Sequence, residues 1–182
     1  MKKIIGIVGM PASGKTLVSS HLNKKNIDRV HLGDFIWQYL DKKGIIKTQE
    51  TGNMASLFFW SQYKDIPLAQ WASKKIQNSK KKIILLDSLR TVEELHYFRT
   101  KFKNNFKLIA IFASPSIRKE REVKRKRFAD TYFEIRDKEE LTIGVGEVMA
   151  LADYVIDGNK SKTLVKKQAD RIFNSIKLKK SL

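Results

Sequence analysis

The stretch Gly9-Met10-Pro11-Ala12-Ser13-Gly14-Lys15-Thr16 constrains this chain more than any other. It has the form G-x-x-x-x-G-K-[ST]. Glycines at its two ends let backbone amides come close to an anion and curl around it. A helix opening at Lys15 would add its positive N-terminal end. The flanks agree with that geometry. Lys3–Val8 is an apolar, β-branched run that reads as a buried strand, and Thr16–Lys24 tolerates helix. Strand, loop and helix in that order make a phosphate-binding loop. Gly9, Met10, Pro11, Ala12, Ser13, Gly14, Lys15 and Thr16 are therefore the candidates to hold a nucleotide. Lys15 would reach the β- and γ-phosphates, and Thr16 would ligate Mg²⁺.

The rest of the chain alternates between the two periodicities. Apolar runs bounded by turn residues predict further strands at Arg29–Leu32, Lys82–Leu86, Phe106–Ala113 and Tyr154–Ile156. Helical patterns fill the gaps at Phe35–Lys43, Met54–Tyr63, Pro67–Gln77, Val92–Lys101, Ile117–Arg127, Asp137–Ala150 and Leu164–Ile176. Asp65 could cap the helix opening at Pro67, and Thr91 with Glu94 spells a capping box. The fold class expected is α/β: a three-layer phosphate-loop fold around a five-stranded parallel sheet. One domain would span 1–182, with a helical insertion at 35–79 on the acceptor side and a lid at 118–137.

Ligands of such a sheet bind beyond the carboxyl ends of its strands. That rule selects the polar residues to watch. Asp87 follows Ile83-Ile84-Leu85-Leu86 and suits a second Mg²⁺ ligand, though an aspartate there is also a common helix cap. Asp34 follows the second strand. It could be a helix cap, a ligand of Mg²⁺-bound water, or a general base for a hydroxyl acceptor. A phosphate acceptor would need no base. Arg121 and Arg125 stand i and i+4 on the predicted helix after the fourth strand, with Arg118 before them and Arg136 beyond. Arginines closing on a transferring phosphoryl group neutralise its spreading charge.

Composition narrows the partners. With no cysteine among 182 residues, neither disulfides nor thiolate metal sites are available. The three histidines, His21, His31 and His96, lack metal-ligand spacing. No apolar run approaches the length of a membrane span, so a cytoplasmic protein is expected. The formal net charge of +18 points to anionic partners: nucleotides, and RNA as a further possibility. It is concentrated in two places. Residues 118–127 carry seven cations and two acids, and residues 159–182 carry eight cations and one acid.

Four segments carry a resemblance: "GMPASGKT", "DSLRTVEE", "SPSIRKEREVKRKR" and "RDKEELTIGVGEVMALADYVI". Together they resemble an archaeal phosphate-loop family, uncharacterised protein family 0200, described as adenylate-kinase-related or dephospho-coenzyme-A-kinase-like. The resemblance spans nearly the whole chain. It implies a nucleoside-monophosphate-kinase type of fold, with an acceptor-binding helical region and an arginine-bearing lid. On that resemblance Arg121, Arg125 and Arg136 match lid and near-lid arginines. Arg90 matches the family's Asp-x-x-Arg, and 153–159 resembles the segment near the donor base. Two acceptor-side arginines of the family are replaced here, by Trp37 and near Phe59. Phe35, Trp37, Phe58, Phe59 and Trp60 form an aromatic group in their place. Such a group either packs the helices together or receives an apolar or stacking moiety.

The expected reaction is transfer of the γ-phosphoryl of ATP, with Mg²⁺, to a small acceptor such as a nucleoside monophosphate. Lys15, Asp34, Arg90, Arg121, Arg125 and Arg136 would be the catalytic group, and Thr16 and Asp87 would manage the metal. Two other readings stay open. One is phosphorylation of a hydroxyl, as by a dephospho-coenzyme-A kinase. The other is a nucleotide-switched ATPase that binds RNA and has no small acceptor. No motif separates ATP from GTP, and no oligomeric state follows from the sequence.

Overall fold

A computed structural model describes residues 2–125 and 130–178. Five parallel strands, β1 (Lys3–Val8), β2 (Asp28–His31), β3 (Ile83–Asp87), β4 (Phe106–Phe112) and β5 (Tyr154–Asp157), form one sheet in the order β2-β3-β1-β4-β5. β1, buried at every residue after Lys3, takes the centre. It pairs Ile5 with Leu85 on one side and with Lys107 on the other. Alternation along β1 divides the core. Ile4 and Val8 pack with helices on one face, while Ile5 and Ile7 pack on the opposite face.

The face holding Ile5 and Ile7 is covered by α1 (Lys15–Asn23) and α9 (Lys162–Leu178). The apolar stripe of α9 (Val165, Ala169, Phe173 and Ile176) is buried there, so its lysines form the solvated side. The other face is covered by α2 (Gly33–Lys42), α4 (Ile66–Asn78), α5 (Val92–Phe102) and α8 (Val145–Ala150), with α3 (Gln49–Tyr63) packed on α2. α6 (Pro115–Arg125) and α7 (Asp130–Ile143) rise from the end of β4.

Several expected boundaries shift, each for a local reason. α3 begins at Gln49 rather than Met54, because Thr48 and Thr51 form a reciprocal capping box. The helix expected over 137–150 is two helices. Gly144 adopts φ 109, a left-handed value that ends α7 and turns the chain into α8. Asp65 precedes α4 but caps nothing. Its side chain is buried, and the residue itself is left-handed at φ 58. The Thr91–Glu94 box is present as expected. Lys126 and Arg127 of the predicted basic helix lie outside the described residues, as do Phe128 and Ala129.

Candidate active site

The loop after β1 is built from backbone. Ser13 N–H donates to the Met10 carbonyl at 3.1 Å, Ala12 is left-handed at φ 58, and Gly14 takes φ 113 just before α1. A Cβ on Gly9 would stand 2.6 Å from both the Ile111 carbonyl oxygen and Ser13 Oγ, so only glycine fits that wall. The Ser13 hydroxyl is buried and has no hydrogen-bond partner. A buried donor left unmatched inside a cradle of this shape fits a phosphate oxygen. Lys15 folds back over the loop, its Nζ donating to the carbonyls of Gly9 at 2.5 Å and Met10 at 3.0 Å.

The charges around Lys15 show which side chains the fold gathers. Burial lowers its pKa to about 8; Glu140 and Asp87 oppose the fall, and Arg136 and Arg90 add to it. Lys15, Asp87, Arg90 and Arg136 thus share one electrostatic neighbourhood, as the sequence led us to expect. Glu140, from the same face of α7 as Arg136, was not singled out from sequence. Its only signal there was its place four residues after Arg136 on a helix bordering the lid.

Asp87 ends β3 with its carboxylate buried. Both hydrogen bonds it receives from Arg29, at 3.0 and 2.7 Å, go to Oδ2. Thr16 is exposed in the first turn of α1. A hydroxyl and a carboxylate facing a phosphate cradle are oxygen donors of the type Mg²⁺ takes, one or two from protein and the rest from phosphate and water. Among the described residues no group of three or more His, Cys, Asp or Glu could hold a metal by itself. Two oxygen donors of this kind fit a metal that arrives with a nucleotide.

Arg121 serves the nucleotide side. It donates to the carbonyls of Ala12 (3.2 Å), Ser13 (3.3 Å) and Gly158 (2.6 Å), tying the phosphate loop to the segment after β5. Beside it opens a cavity of about 570 Å³ lined by Gly14, Leu17, Ile117, Arg121 and Asn159 among others. Asn159 is fixed there by accepting from Ser114 N–H at 2.8 Å. Arg118 is buried. Its Nε donates to the Ala113 carbonyl, its Nη1 to Pro11, and both Nη atoms to the Asp137 carboxylate. Arg125 is the last residue of α6, and its side chain lies outside the described residues.

Asp34 lies in the first turn of α2. Leu32, not Asp34, caps α2, and the Asp34 carboxylate is exposed, 3.5 Å from His31 Nδ1. His31 Nε2 in turn lies 3.0 Å from Ser88 Oγ. Asp34, His31 and Ser88 thus line the tips of β2 and β3.

Within the aromatic group Phe59, Phe35 and Trp37 pack together with the core, while Phe58 is exposed. Phe59 is buried, with ring centroids of Phe35 and Tyr39 each 5.0 Å away at near-perpendicular angles. Trp37 lies so close over Gly52 that a Cβ there would meet its ring at 2.5 Å. Arg90 nearby is engaged through its amide and through two of its three guanidinium nitrogens. Its amide donates to Glu94 Oε2 at 2.8 Å, its Nε to Glu140 Oε2 at 3.1 Å, and its Nη1 to Ser56 Oγ at 2.7 Å.

The sheet order, the glycine-bounded loop and the arginine-bearing helices beyond β4 define a kinase fold of the phosphate-loop class, which implies nucleotide binding. The chain belongs to the UPF0200 family. It is 37% identical over 180 residues to a UPF0200 protein of Pyrococcus abyssi, covering 95% of this chain and 96% of that one. It is 32% identical over 184 residues to a UPF0200 protein of Thermococcus sibiricus, covering 97% of each. The profile of a family described as an AAA domain matches residues 5–142. Solved structures agree on the fold. TT1252 from Thermus thermophilus superposes with a TM-score of 0.70 at 13% identity, covering 98% of this chain and 99% of that one. Shikimate kinase from Bacteroides thetaiotaomicron gives 0.59 at 11% identity, covering 97% and 99%.

Proposed function

We propose that this protein transfers the γ-phosphoryl of ATP to a hydroxyl group of a small acceptor. The observation that carries the choice of acceptor is the state of Arg90. A dianionic phosphate acceptor wants several converging guanidinium groups. Here Phe59 is buried in the core, Trp37 packs half-buried against that core and over Gly52, and Arg90 is already ion-paired to Glu140. A hydroxyl acceptor asks for a base instead, and Asp34 supplies an exposed carboxylate at a strand tip, backed by His31.

In this reading the amides of Gly9 to Thr16 and the Ser13 hydroxyl hold the phosphates. Lys15 exchanges its carbonyl partners for phosphate oxygens, and it and Arg136 neutralise charge spreading over the transferring group. Arg121 fixes the cavity wall beside the donor base. Thr16 and Asp87 would hold Mg²⁺, which when bound screens the β- and γ-phosphates. The helices over 35–79 would close on the acceptor, and 118–137 would act as the lid. As the acceptor oxygen bonds to phosphorus and the bond to the ADP oxygen breaks, the hydroxyl proton passes to the Asp34 carboxylate. The test is transfer from γ-labelled ATP with Mg²⁺ to a panel of alcohols, dephospho-coenzyme A and nucleoside monophosphates, with Lys15→Ala as control. Label on a hydroxyl supports the reading. Label on a nucleoside monophosphate alone overturns it in favour of the nucleoside monophosphate kinase.

RNA binding has an observation of its own. At the amino ends of β2 and β3, a cleft of about 510 Å³ is lined by Lys25, Lys80, Lys81, Lys82 and Lys177. Part of that charge is structural, since Lys25 pairs with Asp170 at 2.8 Å and Lys81 donates to Asn26 Oδ1. The rest suits a phosphodiester chain. Anisotropy with a short labelled RNA should then give an affinity that falls steeply with salt and weakens when Lys80, Lys81 and Lys82 become Ala. No binding at moderate salt would remove this reading.

A further inference from the structure

We infer that Glu140 is a built-in counter-anion of the acceptor site, and that it selects against acceptors carrying a phosphate dianion. The inference rests on the reading that Arg90 faces the acceptor. Three elements meet at this guanidinium. α3 sends Ser56, the segment after β3 carries Arg90 itself, and α7 sends Glu140. The ion pair is sheltered: the side chains of Arg90 and Glu140 are 27% and 15% exposed. Its Coulomb energy is therefore screened less than that of a surface pair.

The reach of Glu140 goes further than Arg90. Its charge acts on Lys15 on the donor side and on Asp65 at the joint between α3 and α4. A carboxylate in that position stands between the phosphate cradle and the surface of α3. A second phosphate entering there would meet a like charge and find its guanidinium partner taken. A neutral hydroxyl compound meets neither obstacle. This is discrimination by repulsion as well as by attraction. Because Glu140 rides on α7, the same contact closes the helix beside the lid onto the acceptor site. An acceptor phosphate binding Arg90 would compete with Glu140 of α7 for the same guanidinium.

The test measures binding rather than turnover. AMP is titrated by calorimetry into the protein saturated with a non-hydrolysable ATP analogue and Mg²⁺, so that the nucleotide cradle is filled. Glu140→Gln should bind AMP about 10- to 100-fold more tightly than the unaltered protein, the worth of a released charged hydrogen bond. Glu140→Asp, one methylene shorter with the charge kept, should gain less. Arg90→Ala added to Glu140→Gln should erase the gain, which a merely structural role for Glu140 would not require. Equal AMP affinity with and without the Glu140 charge would overturn the inference. So would a gain that survives loss of Arg90. If Glu140→Gln does not fold, Glu140→Ala, which also removes the charge, carries the same comparison. A tighter AMP complex with no phosphorylated alcohol from the panel above would leave this inference standing and remove the proposed reaction. A phosphorylated alcohol with unchanged AMP affinity would do the reverse.

Discussion

The nucleotide half of the site and the half assigned to the acceptor are made of different materials. The first is backbone: amides from Gly9 to Thr16, carbonyls of Ala12, Ser13 and Gly158, and a few cations that bond to them. The second is side chain. Phe59, Phe35 and Tyr39 lock against one another, and Arg90, Glu140, Ser56 and Glu94 form one polar network. Backbone sites are insensitive to most substitutions around them but fail when a glycine or the lysine goes. Side-chain sites can be retuned one residue at a time. The donor half therefore commits the protein to nucleoside phosphates, while the acceptor half is where specificity can change.

The sharpest break of that contrast is Lys15→Ala. It should lower phosphoryl transfer by about 10²–10³-fold with little change in thermal stability, because the missing donor is felt where charge develops. Transfer within tenfold of the unaltered rate would mean that the backbone cradle does the work alone. Phe59→Ala should do the opposite, costing about 3 kcal/mol in denaturant unfolding and leaving nucleotide affinity nearly unchanged. An equal loss of nucleotide affinity would show that the two halves are not separable. Asp34→Asn should cut transfer to an alcohol by about 100-fold at unchanged ATP affinity, read by steady-state kinetics beside equilibrium binding.

The smallest effect concerns two buried acids. Burial pushes Glu94 to about 8 and Asp65 to about 6, and each also feels the other network charges. Both are raised above the unfolded value. The stability they allow is complete below about pH 4 and is lost as pH rises, through about 6 for Asp65 and about 8 for Glu94. Glu94→Gln can still accept from the amides of Arg90 and Thr91, so it should flatten that decline. A stability profile with the same slope as the unaltered protein would show that Glu94 is charged in the native state.

The same contrast explains what could be read from the amino acids alone. A phosphate loop is legible because glycine spacing and a following lysine specify backbone geometry directly. The strands are legible because β1 and β4 are runs of apolar residues with nowhere else to go. Arg90–Glu140 and Arg118–Asp137 join residues 50 and 19 positions apart, and nothing local in the sequence names one partner to the other. The break at Gly144 was hidden because glycine inside a helical pattern is tolerated often enough to pass. Asp65 looked like a cap by its place before Pro67, yet the left-handed turn at Lys64 and Asp65 swings its carboxylate inward instead.

Arg118 carries a last implication. Its guanidinium is pinned to Pro11 in the phosphate loop, to Ala113 at the end of β4 and to Asp137 in α7, and it lies 5.4 Å from the ring centre of Phe133. One buried rod therefore joins the floor, the wall and the roof of the chamber. α7 is no loose flap. A tilt of α7 would pass through Arg118 into the peptide of the phosphate loop, and a tightening of that loop would pass back the same way.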